Sequence, residues 1–175
     1  TEAFNILAEE YKEYPKIALK LIQELSAASG SQGMIAGQQE DIQNEGQPID
    51  APTLEFIHEN KTARLIQAAI NMGFILCGLD RGKMTLCHEL GLNLGRAFQY
   101  KDDLLDVQSD SQTLGKPTNS DQASDKLSAV KVYGLEATQI KVNTYMKAAE
   151  NALKQIGGET TLLENYIELL SQRDS

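Results

Sequence analysis

The sequence predicts an all-α fold on three observations. Apolar residues recur at three- and four-residue spacing along most of the chain. No stretch shows the apolar–polar alternation of a half-buried strand closed by a hairpin turn. The segments between the periodic runs are polar and carry the glycines and prolines expected of connections. With 175 residues, 41% of them hydrophobic, the chain can bury one sizeable core and nothing in its length requires a second. We therefore read residues 1–175 as belonging to a single domain, without internal repeats.

The helices are expected in this order. The first spans Glu2 to Ser26. The second, Gly33 to Asn44, contains GQQED, which places Gln38 and Asp41 on one face while Met34, Ile35 and Ile42 can pack. EGQPIDAP then interrupts with two prolines and a glycine. The third helix, Thr53 to Cys77, holds IHENKTA, in which His58, Lys61 and Thr62 stand at i, i+3 and i+4. Its apolar run, Ala68 to Leu79, is broken by Asn71 and is too short to cross a bilayer. The fourth, Met84 to Gln108, carries GRAFQYKDDLLDV. Here Gln99, Asp102, Asp103 and Asp106 fall on one arc, with Leu90, Leu94, Ala97, Phe98 and Leu105 opposite. A long polar connection from Ser109 to Asp125, holding Gly115 and Pro117, follows the aspartates as a binding loop or lid would. Helices at Lys126 to Ile156 and Thr161 to Leu170 complete the reading.

Composition narrows the function. A formal net charge of −9 argues against nucleic acid or an anionic membrane as partner, so a phosphate site must be built locally. Cys77 and Cys87 lack CxxC spacing and suit reduced thiols in a soluble, cytoplasmic protein. Two histidines, His58 and His88, are too few for a histidine-based metal site or a Ser/His/Asp triad. Like charges at i, i+3 and i+4 weaken a helix unless something compensates them, and a divalent cation would do so. Mg²⁺ takes carboxylate oxygens, keeps several waters, and is usually completed by substrate phosphates. A lone DDxxD is nonetheless more often a solvated acidic face.

Taken together in chain order, GMIAGQQED, IHENKTA, GRAFQYKDDLLD and LGKPTNSD resemble the C-terminal half of the trans-type isoprenyl diphosphate synthases, which include the bacterial farnesyl and geranylgeranyl diphosphate synthases. The resemblance runs to the closing YIELLSQRDS. It implies a helical bundle of the terpenoid synthase type and a Mg²⁺-dependent prenyl transfer. In that reaction an allylic diphosphate ionises and its cation is attacked by the double bond of isopentenyl diphosphate. It also implies a homodimer. By the resemblance Asp102 is a magnesium ligand, with Asp103, Asp106 and Asp121 as ligands or water-mediated supports, and Asp41 counted among the metal carboxylates. Lys61, Lys116 and Lys126 grip the diphosphate. Gln38, Asp41 and Thr62 lie near the reacting carbon, and Phe98 and Gln99 complete the motif. The family continues its last lysine as KATxP or KSTYP where this chain reads DKLSAV.

The family's first aspartate-rich motif has no counterpart ahead of Gly33, and TEAFNILAEEY resembles the segment after the family's GDxLL. The expectation is a chain that starts mid-fold without the N-terminal helices, is inactive alone, and exposes apolar surface. The helices bearing Gln38, Lys61 and Asp102 should bring their polar faces to one cleft. A non-catalytic regulatory subunit of a prenyl diphosphate synthase is the alternative. A terpene cyclase is less favoured, because Asn143 is followed four residues later by Lys147 rather than Ser or Thr.

Overall fold

The computed structural model of the protein describes residues 1–113 and 128–173, with side chains described to position 107 in the first span. Every regular element among them is helical. The elements are α1 (Glu2–Glu10), α2 (Pro15–Ser29), α3 (Met34–Gln43), α4 (Ala51–Ile57), a π-helical segment (His58–Ala63), α5 (Arg64–Leu76), α6 (Arg81–Thr113), α7 (Ala129–Tyr133), α8 (Leu135–Ile156) and α9 (Thr161–Gln172).

Two helices expected to be continuous are divided. The first stops at Glu10 and restarts at Pro15. Proline lacks the N–H that a helix interior needs, and its ring forces Tyr14 out of the helical region, to φ −125° and ψ 61°. Pro15 instead opens α2, where a missing N–H does no harm. The expected Lys126 to Ile156 helix is split by Gly134, whose φ of +82° suits only a residue without a Cβ, and Lys126 lies outside the described residues. α4 begins two residues earlier than expected. Asp50 caps it by accepting a 2.9 Å hydrogen bond from the Thr53 N–H, and the Thr53 side chain, with that N–H, holds the Asp50 carboxyl below its ordinary pKa.

At 33 residues and about 50 Å, α6 is the axis of the molecule. α8 packs along one side of it, and α5 with the π segment packs along the other. Leu90, Leu94, Ala97, Tyr100 and Leu104 of α6 meet Val142, Met146, Ala149, Leu153 and Ile156 of α8 in the core, which Leu54 and Ile167 close from α4 and α9. No helix among the described residues is long and apolar enough to cross a membrane.

Candidate active site

The site is organised around the π segment, His58–Ala63, inserted between α4 and α5. Such single-turn widenings recur at functional positions because they re-aim side chains relative to a regular helix. Glycines on the flanking helices let the backbones meet there. A Cβ added at Gly37 of α3 would lie 2.2 Å from the Lys61 nitrogen, and one at Gly95 of α6 would lie 2.4 Å from Ala63 Cα. The π segment is therefore gripped between α3 and α6. Its neighbouring side chains point in different directions.

Lys61 turns toward α3, where its Nζ donates to Asp41 Oδ2 at 2.6 Å. Thr62 turns toward α6, where its hydroxyl donates to Gln99 Oε1 at 2.7 Å. The Gln99 Nε2 donates in turn to Asp103 Oδ1 at 3.1 Å. Asp103 Oδ2 accepts the Ala129 N–H at the start of α7 and lies 3.3 Å from His58 Nε2. His58 stacks edge-on against Tyr100, with ring centroids 4.9 Å apart. The resulting chain, Thr62 to Gln99 to Asp103 and on to Ala129, ties together three elements far apart in sequence. His58, which periodicity left as an undistinguished polar residue, is part of it.

The aspartates of DDLLD do not share a face. Asp103 is 3% exposed and turned inward, whereas Asp102 is about a third exposed and Asp106 is exposed. The reason is that α6 is covered on both flanks at this level, by the π segment and by α7, so an arc solvated in an isolated helix is enclosed here. Asp102 instead accepts a 2.8 Å bond from Arg173, just past the end of α9, and that guanidinium also lies over the Phe98 ring at 5.3 Å. Gln38 lies part-buried on α3, one residue after Gly37. Lys116, Asp121 and Lys126 lie outside the described residues. Among the described residues no three His, Cys, Asp or Glu side chains are grouped to hold a metal ion.

A second polar cluster lies behind the π segment. Glu55 accepts from Lys141 at 2.8 Å and from the Tyr133 hydroxyl at 2.9 Å. Burial pushes the Glu55 carboxyl up, but these two donors outweigh it and hold the group below the ordinary range. Burial pushes the Lys141 ammonium down, but its bond to Glu55 and its charge interactions with Tyr145, Glu55 and Tyr133 together hold it above its ordinary pKa, and its Nζ lies 4.3 Å from the centre of the Tyr133 ring. Glu59 takes both Arg64 and Arg96. One turn beyond Thr62, an apolar groove of about 520 Å³ opens between Ile66, Ile70 and Phe74 of α5 and Leu163 and Tyr166 of α9.

Sequence reading missed Glu55, Glu59, Arg96, Lys141 and Arg173, whose partners lie up to 86 positions away. A signal for the close approaches was present. Glycines inside helices are destabilising by roughly 1 kcal/mol unless backbone proximity requires them, and Gly37, Gly91 and Gly95 all sit inside helices.

Compared with known proteins, residues 1–164 match the family model for polyprenyl synthetase. The farnesyl diphosphate synthase of Geobacillus stearothermophilus is 32% identical over 99% of this chain and 59% of its own length. That of Escherichia coli is 35% identical over 99% of this chain and 60% of its own length. The crystal structure of Helicobacter pylori geranyltransferase complexed with magnesium and isoprenyl diphosphate superposes with a TM-score of 0.78 at 34% identity, covering 97% of this chain and 55% of that one. The chain thus spans about 60% of the length of the curated relatives it matches.

Proposed function

Because the chain belongs to the polyprenyl synthetase family, we propose that it carries the second aspartate-rich half of a site that joins an allylic diphosphate to isopentenyl diphosphate. The observation that carries this reading is the gripped π segment, which aims Lys61 and Thr62 at different helices beside the DDLLD motif. Lys61 is the diphosphate-binding cation, a compact charge with three donors. Lys116 and Lys126 are assigned to the same diphosphate by the family resemblance alone. Asp102 and Asp106, one turn apart and neither of them buried, are the carboxylates that suit a largely hydrated Mg²⁺; Asp121 is added to them by the family resemblance alone. Bound there, magnesium would neutralise charge growing on the departing diphosphate.

The remaining steps belong to the chain's own side chains. Thr62 has committed its proton to Gln99, so the hydroxyl oxygen offers lone pairs to the reacting carbon, where they stabilise developing positive charge. Gln38 and Asp41 on α3 present further oxygens to the same region. The apolar groove beginning at Ile66, one turn along α5 from Thr62, takes the prenyl chain. Two copies pair in the assembled enzyme, in keeping with the exposed Ile6, Tyr14 and Leu19 of the N-terminal helices and turn. Two free thiols, Cys77 exposed, support a reducing cytoplasmic setting.

The 175 residues contain a single DDxxD. Ionisation requires the diphosphate to be clamped from both sides, so the chain alone is expected to bind Mg²⁺–pyrophosphate without turning substrate over. Titration calorimetry with pyrophosphate tests this, with and without Mg²⁺, on the parent and on Asp102→Ala, beside a radiolabelled prenyl-transfer assay. Metal-dependent binding lost in Asp102→Ala supports the reading. Metal-independent binding that survives the substitution would reduce DDLLD to a charged helix face. The regulatory-subunit reading predicts instead that the chain raises turnover by an added intact synthase.

A further inference from the structure

We propose that Asp103, the second aspartate of DDLLD, is a positioning residue rather than a metal ligand, and that its acceptor-only carboxylate sets the polarity of the Thr62 hydroxyl. Both carboxylate oxygens are engaged inside the protein, Oδ1 by the Gln99 amide and Oδ2 by the Ala129 N–H with His58 beside it, and the residue is 3% exposed. A ligand to a hydrated ion must present an oxygen to that ion, and Asp103 presents both of its oxygens to α6, α7 and the π segment.

The consequence runs by elimination through donors and acceptors. An ionised carboxylate can only accept, so the Gln99 amide must turn its NH₂ toward Asp103. Its carbonyl then has no other direction than Thr62, and Thr62 must donate. With its one proton committed, the Thr62 oxygen faces the site as an acceptor. Were the amide reversed, the NH₂ would donate to Thr62 and occupy one of those lone pairs. Asp103 thus acts on the reacting carbon through two intervening side chains. This inference rests on the role given to Thr62 above, but the hydrogen-bond order itself does not.

Asp103→Asn puts the order under test, because asparagine brings one oxygen where two donors need acceptors. Either Ala129 loses its partner or Gln99 reverses. ¹⁵N–¹H NMR of the whole chain reads both. In Asp103→Asn, the Ala129 amide should exchange with solvent at least tenfold faster, or the Gln99 side-chain NH₂ signals should shift as that group leaves residue 103 for the Thr62 hydroxyl. Asp103→Glu keeps the charge but not the length, and should fail in the same way, whereas Asp102→Asn should disturb neither signal. Mn²⁺ affinity in the presence of pyrophosphate, read from the EPR of free Mn²⁺, should fall more than tenfold in Asp102→Asn and stay within about fivefold in Asp103→Asn.

Unmoved Ala129 and Gln99 signals in Asp103→Asn would overturn the proposal, as would a loss of Mn²⁺ affinity equal to that of Asp102→Asn and rescued by Asp103→Glu. If Asp103→Asn does not fold, the parent decides. Adding Mg²⁺ and pyrophosphate should leave Ala129 exchange unchanged, since a carboxylate drawn to the metal would release that amide and accelerate it. A parent that binds no Mn²⁺ would sink the functional reading above, while the NMR signals would still rule on Asp103.

Discussion

Gly95→Ala is expected to destabilise the protein although alanine is the better helix former. The added methyl would lie 2.4 Å from Ala63 Cα, 2.7 Å from Ala63 Cβ and 2.9 Å from the Ala63 carbonyl oxygen. Carbon pairs settle at about 3.5–4.0 Å, so α6 and the π segment must part by roughly 1 Å. Two of the three obstructing atoms are backbone, which no rotamer change relieves. Overpacking of this kind costs about 1–3 kcal/mol. Parting the helices also strains the Thr62–Gln99 bond one turn along α6, worth about 1 kcal/mol net. Replacing glycine in a helix interior returns about 1 kcal/mol, leaving a loss of about 1–3 kcal/mol. For a chain of this length that lowers Tm by about 2–12 °C. The control is Gly73→Ala on α5, where an added Cβ meets nothing within 4 Å and the propensity gain stands alone. Its Tm should rise by about 2–4 °C. Melting followed by far-UV circular dichroism measures both. A Gly95→Ala protein that melts at or above the parent would refute the close passage of α6 over the π segment.

Three further outcomes follow from particular groups. Ellman's reagent on the native protein at neutral pH should titrate one thiol quickly, that of Cys77, because Cys87 is fully enclosed and burial, with Cys77 nearby, pushes its thiol up to about 11. Two fast thiols would contradict the core. Glu55→Gln should lower Tm most between about pH 4.5 and 10.5, the ordinary values of Glu55 and Lys141. The depressed carboxyl contributes stability above 4.5 that is lost as pH falls through its lower folded value, and the raised lysine contributes below 10.5 until pH passes its higher one. A Tm difference independent of pH would remove the ion pair as its cause. Lys61→Ala should weaken Mg²⁺–pyrophosphate binding about tenfold by calorimetry, a moderate loss because the lysine is more than a third exposed; undiminished binding would take Lys61 out of the site.

Much of the helical order was legible because apolar spacing is a local property. α3 and α9 form where their periodicity runs, α6 continues past its expected end at Gln108 to Thr113, into the stretch read as a connection, and Gly46 and Pro48 mark the connection before α4, whose first turn holds Pro52. Even the break before α2 was written in Tyr14-Pro15, where a proline in the middle of a periodic run outweighs the period. The π segment was not legible in the same way. HENKTA fits an α-helical wheel, and its wider turn is held by Gly37 on one side and Gly95 on the other, contacts made only after three helices have packed.

The adjacent aspartates show where a helical wheel stops informing. Consecutive residues on an α-helix stand about 100° apart, so Asp102 and Asp103 cannot both face one ligand squarely. One of them must turn toward a neighbour wherever the helix is covered on two sides. That the inward one is Asp103 follows from its companions one turn back and one residue on. Gln99 shares its arc, and Leu104 and Tyr100, 2% and 1% exposed, fix the buried side of α6 next to it. A carboxylate at that position must find donors, and the two it finds, the Gln99 amide and the Ala129 N–H, come from α6 and α7, with His58 of the π segment 3.3 Å away. The same two letters therefore supply two kinds of group, an outward carboxylate suited to a hydrated cation and an inward one that sets hydrogen-bond direction, and only the packing of α7 against α6 tells them apart.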